Sequence, residues 1–127
     1  MEPEIGFCRA VRVGSHVAVA GTAPIGPDGR TVGEGDIGVQ LRRCLDISAE
    51  ALAAVGAGLS DVVRTRIMLT DIGLWRDAAR VHGEYFSALR PTATFVEVSG
   101  LIDGSWLVET EMDAIVDDGD HTKGRTA

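Results

Sequence analysis

The sequence predicts an α+β fold, a sheet built largely from hairpins with two helices laid across one face. Three observations carry that expectation. Stretches with strand-like and helix-like patterning follow the order β-β-α-β-α-β-β along the chain. At 127 residues there is room for one core and little more. The residues are 45% hydrophobic but only 5% aromatic, so that core must be assembled from Val, Ile, Leu and Ala.

Residues 10–14 alternate apolar and polar, and Gly14-Ser15 offers a turn into 16–21, so the two runs read as a hairpin. The near-continuous apolar character of 16–21 predicts burial on both faces. Residues 24–30 hold two prolines, two glycines and an aspartate, and read as loop. Asp36 is a good N-cap for a proline-free helix over 37–55, whose stripe is Leu41, Cys44, Leu45, Ser48, Leu52 and Val55. Arg42, Arg43, Asp46 and Glu50 form its solvated side, and Gly56 and Gly58 end it.

Residues 61–69 are rich in β-branched side chains. By parity Val63, Thr65, Ile67 and Leu69 share one face, and Arg64, Arg66 and Met68 the other. A second helix is expected over 74–89, with Trp75, Ala78, Ala79, His82, Tyr85, Phe86 and Leu89 as its stripe, ended by Arg90-Pro91. Strands over 94–98 and 106–116 complete the domain at residues 1–116, and the polar tail over 117–127 is expected to be disordered. Helices on one face leave the other bare, so Val63 and Ile67 are expected to be exposed unless a second subunit covers them.

Charge and composition exclude several functions. A net charge of −7 repels phosphate backbones, so no nucleic-acid partner is expected. The sole lysine, Lys123, lies in the tail, so a Schiff-base lysine within the folded part is ruled out. Two well-separated cysteines, Cys8 and Cys44, read as reduced thiols, and no signal peptide or run of about 18 apolar residues is present, so a cytoplasmic protein without membrane contact is expected. His16, His82 and His121 have no metal spacing, and His82 falls on a helix stripe, where a hydrogen-bonded packing role is expected. No phosphate loop, dinucleotide fingerprint or nucleophile elbow occurs, so neither a metal nor a cofactor is expected.

Three glutamates sit on the last strands, Glu97, Glu109 and Glu111. Glu109 and Glu111 are two apart and point the same way. They are either exposed carboxylates or a pair whose mutual repulsion raises one pKa into the range of a general acid. Arg9 and Arg66 have apolar neighbours, and each needs a carboxylate, supplied either by Glu97, Glu109 or Glu111 or by a ligand.

The chain resembles one family in order from about residue 6 to 116. Residues 6–14 (GFCRAVRVG) resemble "GPYSQAVRVG", and 19–24 (VAGTAP) resemble "VSGQIP". Residues 61–71 resemble "DVVKTTVFLTD", 82–86 "YGEYF", 90–98 "RPARTTVEV" and 108–111 "IEIE". These motifs identify the chain as similar to the RidA/YjgF family. The resemblance implies a chorismate-mutase-like fold, a homotrimer and small-molecule clefts between subunits. Active members of that family hydrolyse enamines and imines to ketoacids and ammonia. An arginine grips the substrate carboxylate there, while a glutamate and backbone groups position water.

Carried over residue by residue, the catalytic glutamate matches Glu109, the backbone-binding glycine matches Gly21, and Thr22 keeps the loop after it. The arginine position holds Ala93, the pocket tyrosine becomes Phe7, the small residue two beyond the arginine becomes Phe95, and a helix asparagine becomes Ala79. The implied pocket is therefore less polar and lacks its anion clamp, which Arg9 or Arg66 would have to replace. The readings left open are a divergent enamine or imine deaminase, a non-catalytic small-molecule-binding or chaperone-like trimer, and a ribonuclease or translation inhibitor.

Overall fold

The computed structural model describes residues 2–117 and 124–126. A helical turn, α1 (Glu2–Ile5), precedes the hairpin β1 (Ala10–Val13) and β2 (His16–Thr22). Then follow α2 (Ile37–Ala54), β3 (Val62–Leu69), α3 (Trp75–Phe86), β4 (Thr92–Glu97) and β5 (Val108–Ile115). The five strands form one sheet in the order β1-β2-β5-β3-β4. All neighbours are antiparallel except β3 and β4, which α3 joins as a parallel pair. The expected β-β-α-β-α-β-β order is present, with α1 as an addition.

Local chemistry fixes the ends of α2. The Asp36 carboxylate accepts the Val39 N–H at 3.1 Å, satisfying one of the free donors of the first turn. At the other end Gly56 takes a left-handed φ of 78°, and the Ala57 N–H returns to the Leu52 carbonyl. The Arg12 guanidinium crosses from β1 to donate to the Val55 carbonyl at 2.9 Å, which secures the hairpin to the helix end. Leu41, Cys44, Leu45, Ser48 and Leu52 are buried as the stripe requires, and so are Ile37 and Gln40. Gln40 donates to the carbonyls of Gly33 and Ser105 and accepts the Leu107 N–H, so all three bonds are made inside.

The α3 helix departs from expectation at both ends. Residues 72–74 form a 3-10 turn, and Trp75, placed on the buried stripe by periodicity, is exposed with the Arg76 guanidinium 5.0 Å from its ring. The buried positions are Ala78, Val81, His82 and Phe86, so Val81 takes a place that Trp75 was expected to hold. The helix stops at Phe86, and Arg90 adopts a left-handed φ of 51°, not the extended geometry usual before a proline.

Both helices cover one sheet face, whose buried residues include Val17, Val19, Ile67, Leu69, Val108, Met112 and Ala114. This corrects two expectations. The second strand is buried on one face only: Val17 and Val19 are covered, while His16 and Ala18 are exposed. Ile67, expected to be bare, lies wholly under the helices with Thr65 and Leu69, because this face of β3 is the one the helices cover; a register shift between Val62 and Arg64 changes only the strand start, burying Val62 and leaving Val63 half-buried. The apolar residues on the uncovered face are instead Val11, Val13, Ala18, Val96 and Ile115. Of the tail expected to be disordered, residues 118–123 and 127 lie outside the described residues.

Candidate functional site

Strand β5 alternates strictly. Val108, Thr110, Met112 and Ala114 are buried under the helices, and Glu109, Glu111 and Asp113 stand half-buried on the opposite face. Opposite them on β3, the Arg66 guanidinium lies 3.5 Å from Glu111 and 3.6 Å from Asp113, and Arg64 approaches Asp113 at 3.9 Å. Arg66 is therefore engaged by carboxylates of its own sheet, the protein-partner alternative of the two. These pairs are partly solvated, so each contributes little to stability.

Glu109 lies one step beyond this ladder, packed on the end of β2. There the pairing of β2 with β5 shifts between Val19 and Thr22, and Gly21 falls in the irregular stretch. A Cβ at Gly21 would sit 2.7 Å from Oε1 of Glu109, so any larger residue would displace the carboxylate. What a side chain at Gly21 would disturb is therefore the position of the Glu109 carboxylate, and not a left-handed backbone. Burial pushes the Glu109 carboxyl above the ordinary glutamate range, and the neighbouring Glu111 charge pushes the same way, while Arg9 opposes them. Of the two alternatives the sequence left open for the pair, exposed carboxylates or mutual repulsion, repulsion from Glu111 contributes, but desolvation is the larger cause.

Arg9 reaches this place through the hairpin. The Ala20 N–H donates to the Arg9 carbonyl at 2.9 Å, which sets Arg9 beside the strand that carries Gly21. Phe7 lines a shallow hollow with Gly6, Cys8, Val11, Ala18 and Ala20 on the same uncovered face. Thr22 turns to the opposite side: it is buried, donates to the Ala20 carbonyl at 2.9 Å and accepts from Ser48 at 3.4 Å. Its role is to hold the irregular end of β2. Phe7, Arg9, Gly21 and Glu109 thus belong to one region, with Thr22 beneath it.

Ala93 and Phe95 belong to another. They sit on the edge strand β4, in register with Thr65 and Ile67, and so share the helix-covered side of the sheet. Ala93 is exposed, and Phe95 packs edge-on against the His82 ring at 5.6 Å. Within one chain the sheet separates these two from Glu109. His82 bonds Thr65 at 2.8 Å, and burial lowers its pKa, as suits a neutral packing histidine. Glu97 accepts the Ile72 N–H at 3.0 Å and so caps the 3-10 turn.

Sequence reading missed two features. Cys44 lies close enough for the Glu109 charge to help raise its thiol pKa, after burial, so it is an inert thiol beneath the carboxylate. Arg90 and Arg125 line a cavity together with Ala93, which no motif could have signalled. Among the described residues no group of three or more metal-binding side chains occurs, and no helix is long and apolar enough to cross a membrane.

Over residues 1–116 the chain matches the family model described as endoribonuclease L-PSP. A RutC family protein of Sulfurisphaera tokodaii is 38% identical over 95 residues, 75% of this chain and 76% of that one. An uncharacterised Streptomyces coelicolor protein is 38% identical over 113 residues, covering 89% and 84% of the two chains. A crystal structure from Mycobacterium tuberculosis, of a member of the YjgF/YER057c/UK114 family, superposes with a TM-score of 0.82 at 45% identity and 91% coverage of both chains.

Proposed function

We propose, from the premise that this chain belongs to the RidA/YjgF family (the endoribonuclease L-PSP group of the family model), that it is a divergent enamine or imine deaminase working in clefts between the subunits of a cytoplasmic homotrimer. The observation that carries the reading is the half-buried Glu109 carboxyl, held against Gly21 with its pKa raised. A carboxyl whose pKa is raised holds its proton more readily than an ordinary glutamate, which suits a group that must accept a proton and give it back. In the reaction, water adds through oxygen to the carbon of a protonated C=N bond while Glu109 takes one of its protons. Glu109 then returns that proton to nitrogen; as the C–N bond breaks the hydroxyl gives its own proton to the Glu109 carboxylate, ammonia leaves a carbonyl product, and Glu109 releases the proton to ammonia or solvent. The neighbouring Arg9 charge would favour the carboxylate form between turnovers.

The trimer belongs to the same proposal, since Ala93 and Phe95 lie across the sheet from Glu109 in one chain and would meet a shared ligand only between two copies. The uncovered face, with Val11, Val13, Ala18 and Ile115, is the surface available for such contact.

A second reading, a non-catalytic small-molecule-binding trimer, is favoured by Ala93, whose methyl replaces a guanidinium, and by the engagement of Arg66 with Glu111 and Asp113. The net charge of −7 weighs against ribonuclease activity. Ammonia release from freshly generated amino-acid imines separates the readings. Wild type is expected to be active and Glu109→Ala to lose about 10²- to 10⁴-fold, the usual worth of a general acid-base group. Activity only in Ala93→Arg would overturn the deaminase reading in favour of the binding module.

A further inference from the structure

We infer that Thr22 is a positioning residue for Glu109. Its buried hydroxyl, linked to α2 through Ser48, holds the bulge of β2 that sets Gly21 against the carboxylate.

The contact depends on that bulge. From Val19, opposite Met112, to Thr22, opposite Thr110, β2 advances three residues while β5 advances two. Side chains alternate along a strand, so Val19 and Thr22 would lie on opposite faces of a regular one. Instead both are buried under the helices, and half-buried Ala20 and Gly21 take up the extra residue.

A bulge disrupts the backbone ladder, and here a side chain supplies a bond: the Thr22 hydroxyl donates to the Ala20 carbonyl at 2.9 Å. The same oxygen accepts the Ser48 hydroxyl at 3.4 Å, a longer and weaker link. Ser48 is wholly buried on the apolar stripe of α2, where a hydroxyl is costly unless bonded. Cys44, one turn earlier on that stripe, has its thiol within reach of the Glu109 charge. The helix thus packs beneath the bulge, and Ser48 and Thr22 connect it to the strand that carries Gly21.

Thr110 provides a contrast within the same layer. It faces Thr22 in register and follows Glu109 in the chain, yet its buried Oγ1 has no hydrogen-bond partner among the described residues. When the Thr22 link is lost, the bulge relaxes, Gly21 withdraws and water reaches the carboxylate. Glu111 and Arg9, whose charges act on the same carboxyl, stay in place.

The test follows the side-chain carboxyl carbon resonance of Glu109 against pH, in the full chain without substrate. Thr22→Val is expected to bring the titration down toward the ordinary glutamate range, and Ser48→Ala to move it the same way by less. Thr22→Ser, which keeps the hydroxyl, should titrate like wild type, and so should Thr110→Val. No shift in Thr22→Val, none in Ser48→Ala, or an equal shift in Thr110→Val would each overturn the assignment. If Thr22→Val does not fold, Ser48→Ala against Thr110→Val decides it. The catalytic consequence rests on the deaminase reading: Thr22→Val should lower kcat by about 10-fold to 10²-fold with KM little changed, and Thr22→Ser should restore it. An unchanged kcat in a Thr22→Val protein whose carboxyl titration has shifted would overturn that consequence. The titration needs no turnover, so a wild type that releases no ammonia defeats the deaminase reading while the resonance still decides the role of Thr22.

Discussion

The two faces of the sheet are made from the same strands and have opposite chemistry. On the helix side, β5 contributes Val108, Thr110, Met112 and Ala114, all buried, and Ile67 and Leu69 of β3 meet them. On the other side the same strand contributes Glu109, Glu111 and Asp113, answered by Arg64 and Arg66 and bordered by exposed apolar residues. The first face is a core that one chain completes. The second is neither a core nor an ordinary solvated surface, because it mixes an ion ladder, a desolvated glutamate and bare valines. Stability of the chain should therefore be carried by one face, and assembly and chemistry by the other.

The largest expected effect tests the covered face. Ile67→Ala leaves a void beneath both helices and should lower unfolding free energy by about 2–5 kcal/mol in urea denaturation. A loss under about 1 kcal/mol would mean that the helix layer is not the main source of stability.

A change on the bare face should act differently. Ala18 is exposed and in register with Val11 and Asp113, so Ala18→Glu adds a charge beside an existing carboxylate on the surface proposed for assembly. Sedimentation should show the assembled species giving way to monomer while far-ultraviolet circular dichroism is retained. An unchanged oligomer would remove that face from the interface.

The smallest effect concerns pH. Because the Glu109 carboxyl titrates above the ordinary glutamate range when folded, the native state holds a proton that the unfolded chain has already released. Its contribution to stability is present at pH below the ordinary glutamate value and is lost as pH rises through the raised folded value. The melting temperature of wild type minus that of Glu109→Gln should therefore fall across that window. A flat difference would show that the carboxyl is not desolvated.

Periodicity and end signals made most of the fold legible. The Asp36 cap, the α2 stripe and the hairpin all follow from residue types whose local preferences agree with their burial. Trp75 escaped because it is the first residue of α3, directly after the 3-10 turn over 72–74, and periodicity does not show where the covering layer stops. Parity grouped Ile67 correctly with Thr65 and Leu69 but could not say which face the helices cover, and only Val63 left that group, through the irregularity after Val62. At the candidate site, Glu109 is singled out by its spacing to Glu111 and by a family motif and Gly21 by a motif alone, whereas their contact depends on long-range pairing of β2 with β5. The pairing of Arg66 with Glu111 was one of two open alternatives, and only the register of β3 on β5 decides it. Arg90 and Arg125 come together across 35 positions, a separation that no local pattern encodes.

The strand at the centre of the sheet is the last one in the chain. During synthesis β1 with β2 and β3 with β4 can form two separate pairs, but nothing joins them until residues 108–115 have left the ribosome. Until then β2 and β3 each keep one edge of unpaired backbone donors and acceptors open to other chains. Closure then depends on distant partners such as His16 and Ile115, a topology that slows folding. A message cut short between β4 and β5 would thus release a product with both of these edges open, and its hazard to the cell would be aggregation.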